Sequence, residues 1–226
     1  MYKRQAASRA QQARQGEVGS LRIAYSPGAI LSSSVSDLFK AFDSAFPNLH
    51  IETSLTPVEQ IPAGIRERSF LAGLLYIDEI DPLFASMTIG EEEFFLALPA
   101  SHRLAQADSI RLADLLDEQF IWYPKSHATA IRQRIECELE RRGVELRIVM
   151  ESPSAEATLG LVSNGLGLGF APASTHWSSS FPGVVLRRID DLRFSAQMKM
   201  LWLASDNSPV IGKLVETART AVTAKP

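Results

Sequence analysis

From Ser20 to Tyr25 apolar and polar side chains alternate, which predicts a strand ending in the turn Ser26-Pro27-Gly28-Ala29. Val35, Leu38, Phe39, Phe42 and Phe46 then recur at three- and four-residue spacing and predict an amphipathic helix stopped by Pro47-Asn48. Leu49–Leu55 alternates again as a second strand. Thr56-Pro57-Val58-Glu59 has the spacing of a capping box and predicts a helix to about Arg68, followed by a third strand over Phe70–Ile77. Strand, helix, strand, helix, strand is the order of a parallel sheet with right-handed crossovers.

The second half repeats the alternation with shorter elements. Phe94–Pro99 and Phe120–Tyr123 read as strands separated by a short helix over 110–116, and residues 124–129 lead into a long helix that Gly143 stops near Arg142. After a strand at Arg147–Met150, Ser152-Pro153-Ser154 offers an N-cap hydroxyl and a first-turn proline. Ala155, Leu159, Val162 and Leu166 form one apolar face, and Asn164-Gly165 ends that helix. Leu166–Ala171 predicts a brief buried strand, closed by Pro172, with glycines where a backbone or ligand comes close. Strands at Val184–Leu186 and Met198–Leu203 precede a final helix from Pro209 that carries Ile211, Leu214, Val215 and Ala218. Asp78 and Asp81 read as turn residues. The run Glu91-Glu92-Glu93 reads as a solvated turn, with pairing to Arg22 as the alternative.

At 226 residues the chain is one large domain or two small ones. No apolar run approaches the roughly 20 residues that span a bilayer, and the start lacks a secretory apolar block, so a cytoplasmic protein without a membrane partner is expected. Cys137, the single cysteine, excludes an internal disulfide and is expected to be semi-buried. A net charge of −3 gives no basic footprint for nucleic acid. Residues 1–18, basic and rich in alanine and glutamine, read as the remnant of a linker helix or an unrelated leader. Gly165, Gly167 and Gly169 follow a helix and open a strand, the reverse of a dinucleotide fingerprint. There is no nucleophile elbow, HExxH or pair of carboxylates at the strand ends, so no catalytic residue, metal or cofactor is expected.

Across about residues 20–222 the sequence resembles the effector-binding domain of LysR-type transcriptional regulators. The carriers are LRIAYSPGA (21–29), FDSAFPNLHIE (42–52), FLAGLLYIDEIDPL (70–83), LALPASHRLA (96–105) and LVSNGLGLGFAPAST (161–175), in the family's order. Leu71 stands where the family usually has aspartate, and Arg103 where it usually has proline. The resemblance implies an α/β fold of two Rossmann-like lobes of periplasmic-binding-protein type, residues 20–96 with 196–222 and residues 97–195. Two crossing strands, Leu96–Pro99 and Phe194–Lys199, would join them. It further implies a sensing domain that forms a homodimer, and a tetramer in the full-length protein. The helix of Val35, Leu38, Phe39 and Phe42, through surplus apolar surface, and the helix over 130–142 would pair antiparallel. DNA would be read only by an N-terminal domain absent from this chain. A solute-binding protein, or an enzyme such as a dehydratase or deaminase on the same two-lobed fold, is the alternative.

Ligands of two-lobed α/β proteins bind outside the carboxyl ends of the strands. Here those ends are Ser26, Pro27, Gly28 and Ala29; Thr56, Pro57 and Val58; Tyr76; Tyr123, Ser126, His127 and Thr129; Ser154; and Phe170 with Pro172. The hydroxyls of Ser26, Ser126, Thr129 and Ser154 offer hydrogen bonds, Gly28 bare backbone, and Tyr76, Tyr123 and Phe170 apolar walls. His127, ahead of a helix, is the candidate charge switch near neutral pH. His50, His102 and His176 read as surface or loop residues. Helix N-termini and Lys125 favour a small anionic effector, although no arginine is evident to grip it, and a neutral metabolite fits as well.

Overall fold

The computed structural model describes residues 19–124, 130–177 and 181–223, in two compact units. One contains the chain up to Gly90 and from Met198 onward; the other is Glu91–Gln197.

The first unit is built on the predicted parallel strands. β1 (Gly19–Tyr25) pairs in parallel with β2 (Leu49–Leu55) and β3 (Ala72–Tyr76), in register Tyr25↔Leu55 and Tyr25↔Leu74. The last strand, β9 (Ser195–Leu203), lies antiparallel to β3, with Gly73 opposite Leu201. Helix α1 (Ser33–Ala45) opens at Ser32, whose hydroxyl accepts the Ser34 N–H at 3.3 Å, and packs on the C-terminal helix, Pro209–Thr223. Val35, Leu38 and Phe42 are thereby buried inside their own unit, so α1 lacks the surplus apolar face expected of it; Phe39 is half-buried. Helix α2 (Ile61–Arg66) buries Ile61 and Ile65 against Ala24, Leu75 and Leu201. The expected capping box does not form: a 3₁₀ turn over Val58–Gln60 precedes α2, and the Thr56 hydroxyl donates back to the Ser54 carbonyl at 3.3 Å.

The chain enters the second unit along β4 (Phe84–Pro99), which starts ten residues before its predicted beginning at Phe94. The three glutamates lie within this strand, not in a turn. Glu92 is buried and accepts the Ser174 N–H at 2.7 Å, Glu93 pairs with Arg188 at 2.8 Å, and Glu91 accepts the Ser195 hydroxyl, partners other than Arg22, the alternative the sequence offered. Beyond them β4 pairs antiparallel with β7 (Gly169–Pro172) and β8 (Val184–Arg187). β5 (Gln119–Trp122) and β6 (Arg147–Glu151) pair in parallel, and Leu168 bridges Phe120 in parallel. Helix α3 (Ala130–Arg141) buries Ile131, Ile135 and Leu139 and leaves Cys137 exposed, against expectation, because that residue falls off the stripe.

Helix α4 (Ala155–Ser163) buries Ala155, Leu159 and Val162. Pro153 precedes the cap and is not in the first turn. Gly165, at φ 74°, closes the helix: its N–H reaches the Val162 carbonyl and that of Leu166 the Leu161 carbonyl, a Schellman ending. Leu166 therefore lies beyond the helix, exposed, and not on its buried face. Gly167 leaves the room predicted for a close backbone: a Cβ there would sit 2.9 Å from the Gln119 carbonyl oxygen. The final helix is α5 (Pro209–Thr223). Among the described residues no helix is long and apolar enough to cross a membrane.

Candidate functional site

Parallel pairing places the carboxyl ends of β1, β2 and β3 on one edge of the first unit. The Ser26 N–H reaches the Leu74 carbonyl at 2.9 Å and the Thr56 N–H the Tyr25 carbonyl at 3.0 Å, so the loops after β1 and β2 are anchored side by side. Gly28 takes φ 82° to turn the chain into a 3₁₀ turn over Ala29–Leu31, a left-handed conformation that suits glycine. Ala29, Thr56 and Tyr76 are buried, and Pro27, Pro57 and Val58 are half-buried. Ser26 is 1% exposed, and its Oγ has no hydrogen-bond partner among the described residues. Such an unsatisfied buried hydroxyl carries a cost that a ligand can relieve.

The second unit gathers its own set. Ser152 donates its N–H to the Trp122 carbonyl at 2.7 Å, which brings the loop after β6 beside the end of β5. Ser154 caps α4: its Oγ accepts the Ala157 N–H at 3.1 Å and keeps its own proton to donate. Tyr123 donates its phenol to the Phe170 carbonyl at 3.4 Å. Burial first, and the Glu156 carboxylate second, push that phenol well above the ordinary tyrosine range, so it stays a neutral donor. The ring of Phe170 is enclosed by Phe120, Trp122 and Phe194, at centroid distances of 6.1, 5.7 and 5.1 Å. Pro172, which ends β7, is buried too. Lys125, Ser126, His127 and Thr129 lie outside the described residues.

Arg132, which the sequence did not single out, stands beside this set. It is buried in α3, donates to the Tyr123 carbonyl and pairs with Glu136 at 2.6 Å, while Glu136 also accepts the Trp122 indole N–H at 3.1 Å. Its place next to Ile131 on the apolar stripe, four residues before an acid, was the available signal. Ser174 also carries a buried hydroxyl without a partner among the described residues. Away from the strand ends, His50 is exposed on β2. His102 accepts the Leu104 N–H on Nδ1 at 3.2 Å, so Nε2 carries the proton toward Glu118, also at 3.2 Å. Arg103 pairs with Glu118 at 2.7 Å. The side chain of His176 lies outside the description. No cluster of three metal-ligating side chains occurs among the described residues.

The two α/β units are linked by β4 and β9, and each carries polar loops at its parallel strand ends. The chain matches the model of the LysR substrate binding domain over residues 14–223 and belongs to that family. It is 30% identical over 169 residues to the uncharacterized HTH-type transcriptional regulator YnfL of Escherichia coli, an alignment covering 75% of this chain and 57% of YnfL. The chain thus corresponds to little more than half of that relative. Among solved structures it superposes on CbnR, a LysR family transcriptional regulator, with a TM-score of 0.82 at 22% identity, covering 96% of this chain and 75% of CbnR. The effector binding domain of BenM from Acinetobacter baylyi, bound to its effector benzoate, gives a TM-score of 0.77 at 23% identity, covering 92% of this chain and 95% of that one. These likenesses establish the fold; the curated relative is a regulator of transcription.

Proposed function

We propose that the chain is the effector-sensing and dimerising part of a cytoplasmic LysR-type regulator, without catalytic activity, and that DNA is read by a separate domain. The effector is a small organic molecule held at strand-end loops. The observation that carries this reading is Ser26, a buried hydroxyl without a partner among the described residues, on a loop anchored beside Thr56. Within the second unit, Ser154, with its proton free to donate and the N–H groups of α4 behind it, is a polar contact of the same kind.

Screening a metabolite panel by thermal shift identifies the effector, and titration calorimetry on two variants then tests the site. Ser154→Ala is expected to cost about 0.5–2 kcal/mol of stability through the lost cap. If the effector is charged, affinity falls by a further ~1.5–3 kcal/mol. Ser26→Ala removes an unsatisfied group, so stability holds or rises while affinity falls. Unchanged affinity in both variants places the effector elsewhere. Gly28→Val is a poorer probe, because a β-branched residue at φ 82° disturbs the turn itself.

Dimer formation has support in β6. Ile148, Val149 and Met150 are 46, 42 and 37% exposed, on a strand that pairs only with β5 among the described residues. A second copy that covers this edge removes both the apolar surface and the open strand. Sedimentation velocity is expected to show a dimer at tens of micromolar and monomer for Val149→Lys; monomer for the unaltered chain counts against the proposal.

A further inference from the structure

The first unit carries a cavity of about 370 Å³ at the edge of its sheet opposite Ser26, Thr56 and Tyr76. Ser20, Leu21 and Arg22 begin β1 there, Leu71 leads into β3, and Leu203 ends the antiparallel β9. The volume suits a small ligand. Its floor is apolar, with Leu21, Ile65 and Leu203 buried and Phe70 half-buried. Gly64 makes room for the Phe70 ring against α2: a Cβ at that glycine would stand 2.5 Å from the ring. The rim is polar and net positive, with Arg22 and Arg68 against the single carboxylate of Asp206.

Arg68 is the informative residue. It occupies the position after the α2 cap in a Schellman ending, its N–H on the Ile65 carbonyl and that of Ser69 on the Gly64 carbonyl. Its φ of 58° is the only positive value at a non-glycine among the described residues. Glycine is the favoured residue at such a place, and an arginine there is held at a conformational cost. Its ion pair with Asp206, at 3.1 Å, offsets little of that cost, since the arginine side chain is 66% exposed and a surface pair contributes weakly. Asp206 is itself fixed by the Ser208 N–H at 2.9 Å. Arg22 has no ion-pair partner among the described residues. Two guanidinium groups beside an apolar floor form a receptor for a carboxylate on a compact hydrocarbon body; the Asp206 charge disfavours a dianion.

We infer that this cavity is a second binding site, distinct from the strand-end loops, for a small organic monocarboxylate whose charge is taken by Arg22 and Arg68. The test uses the whole chain, with para-trifluoromethylbenzoate as probe and the neutral para-trifluoromethylbenzamide as control, followed by fluorine NMR and by amide shift changes. The acid is expected to shift the amides of Leu21, Ser69 and Leu71 and to bind about tenfold more tightly than the amide. Arg22→Gln and Arg68→Gly each weaken it by about tenfold. Because glycine suits the backbone at position 68, the melting temperature of Arg68→Gly holds or rises, so its loss of affinity does not reflect unfolding. Unchanged affinity in both variants, shifts confined to Ser26–Ala29 and Ser152–Ser154, or no binding at millimolar acid would overturn the inference. Ser26→Ala and Ser154→Ala act at the other edge, so failure of the strand-end site leaves the shifts around Arg22 intact, and the two failures are separable.

Discussion

Phe170→Ala is expected to destabilise the second unit by about 3–5 kcal/mol, the range for deleting a fully enclosed aromatic side chain. Phe170 is 2% exposed, stacked on Phe120 and edge-on to Trp122 and Phe194. Its neighbours are ill placed to close the void. Phe120 is fixed by its strand, the Trp122 indole is tied to Glu136, and the Phe194 carbonyl accepts the Phe94 N–H at 3.1 Å. Phe170→Leu keeps most of the volume and is expected to cost under about 1.5 kcal/mol. Urea denaturation of both variants gives the values. The measurement also separates two roles, since Phe170 was expected from sequence to wall the ligand site. A ring that mainly touches ligand would give an alanine variant within about 0.5 kcal/mol of the parent, with only affinity lost. That outcome would refute the enclosed aromatic cluster.

The regular parts of the fold were legible because their signals are local. β2 falls on the predicted residues, and β1, α1 and α5 fall within a residue or two of their alternating or three-and-four spaced apolar positions. One misreading comes from distant partners and two from local geometry. Glu91-Glu92-Glu93 looks like a solvated turn until Ser174 and Arg188, 82 and 95 residues away, give two of these acids partners within a strand. Thr56 and Glu59 have the spacing of a capping box, but Pro57 is extended at ψ 140° and a 3₁₀ turn intervenes, so α2 begins too late for Thr56 to cap it. Cys137 was a local error: two positions from Ile135, it points away from the buried stripe. The candidate site was half visible. Strand order alone puts Ser26, Thr56 and Tyr76 at one edge, and Ser154 capping follows from its neighbours. Neither pattern reveals that the Ser26 hydroxyl lacks a partner among the described residues or that Arg132 holds the Tyr123 carbonyl, because both depend on packing.

Gly90→Ala is expected to destabilise the first unit by about 1–3 kcal/mol, although it adds one methyl group to a strand. A Cβ at Gly90 would lie 2.0 Å from the Ser34 Oγ and 2.8 Å from the Ser34 Cβ. Rotation about χ1 moves the hydroxyl aside, but the Cβ is fixed by α1, whose first turn Ser32 caps. The shorter contact is therefore avoidable and the longer one is not, so β4 or α1 must shift. Both residues sit where such a shift is resisted: Ser34 is buried, and α1 is packed on α5. Ser34→Gly removes the obstructing atom at an expected cost of roughly 0.5–1 kcal/mol, that of a glycine in a helix. The double variant should then be more stable than the sum of the two single losses predicts, by about 1–2 kcal/mol, a coupling typical of residues in direct contact. Denaturant titration of the four proteins measures it. Strict additivity would mean that the side chain of Ser34 is not what excludes a methyl group at position 90, and that glycine is required there by the path of β4 itself.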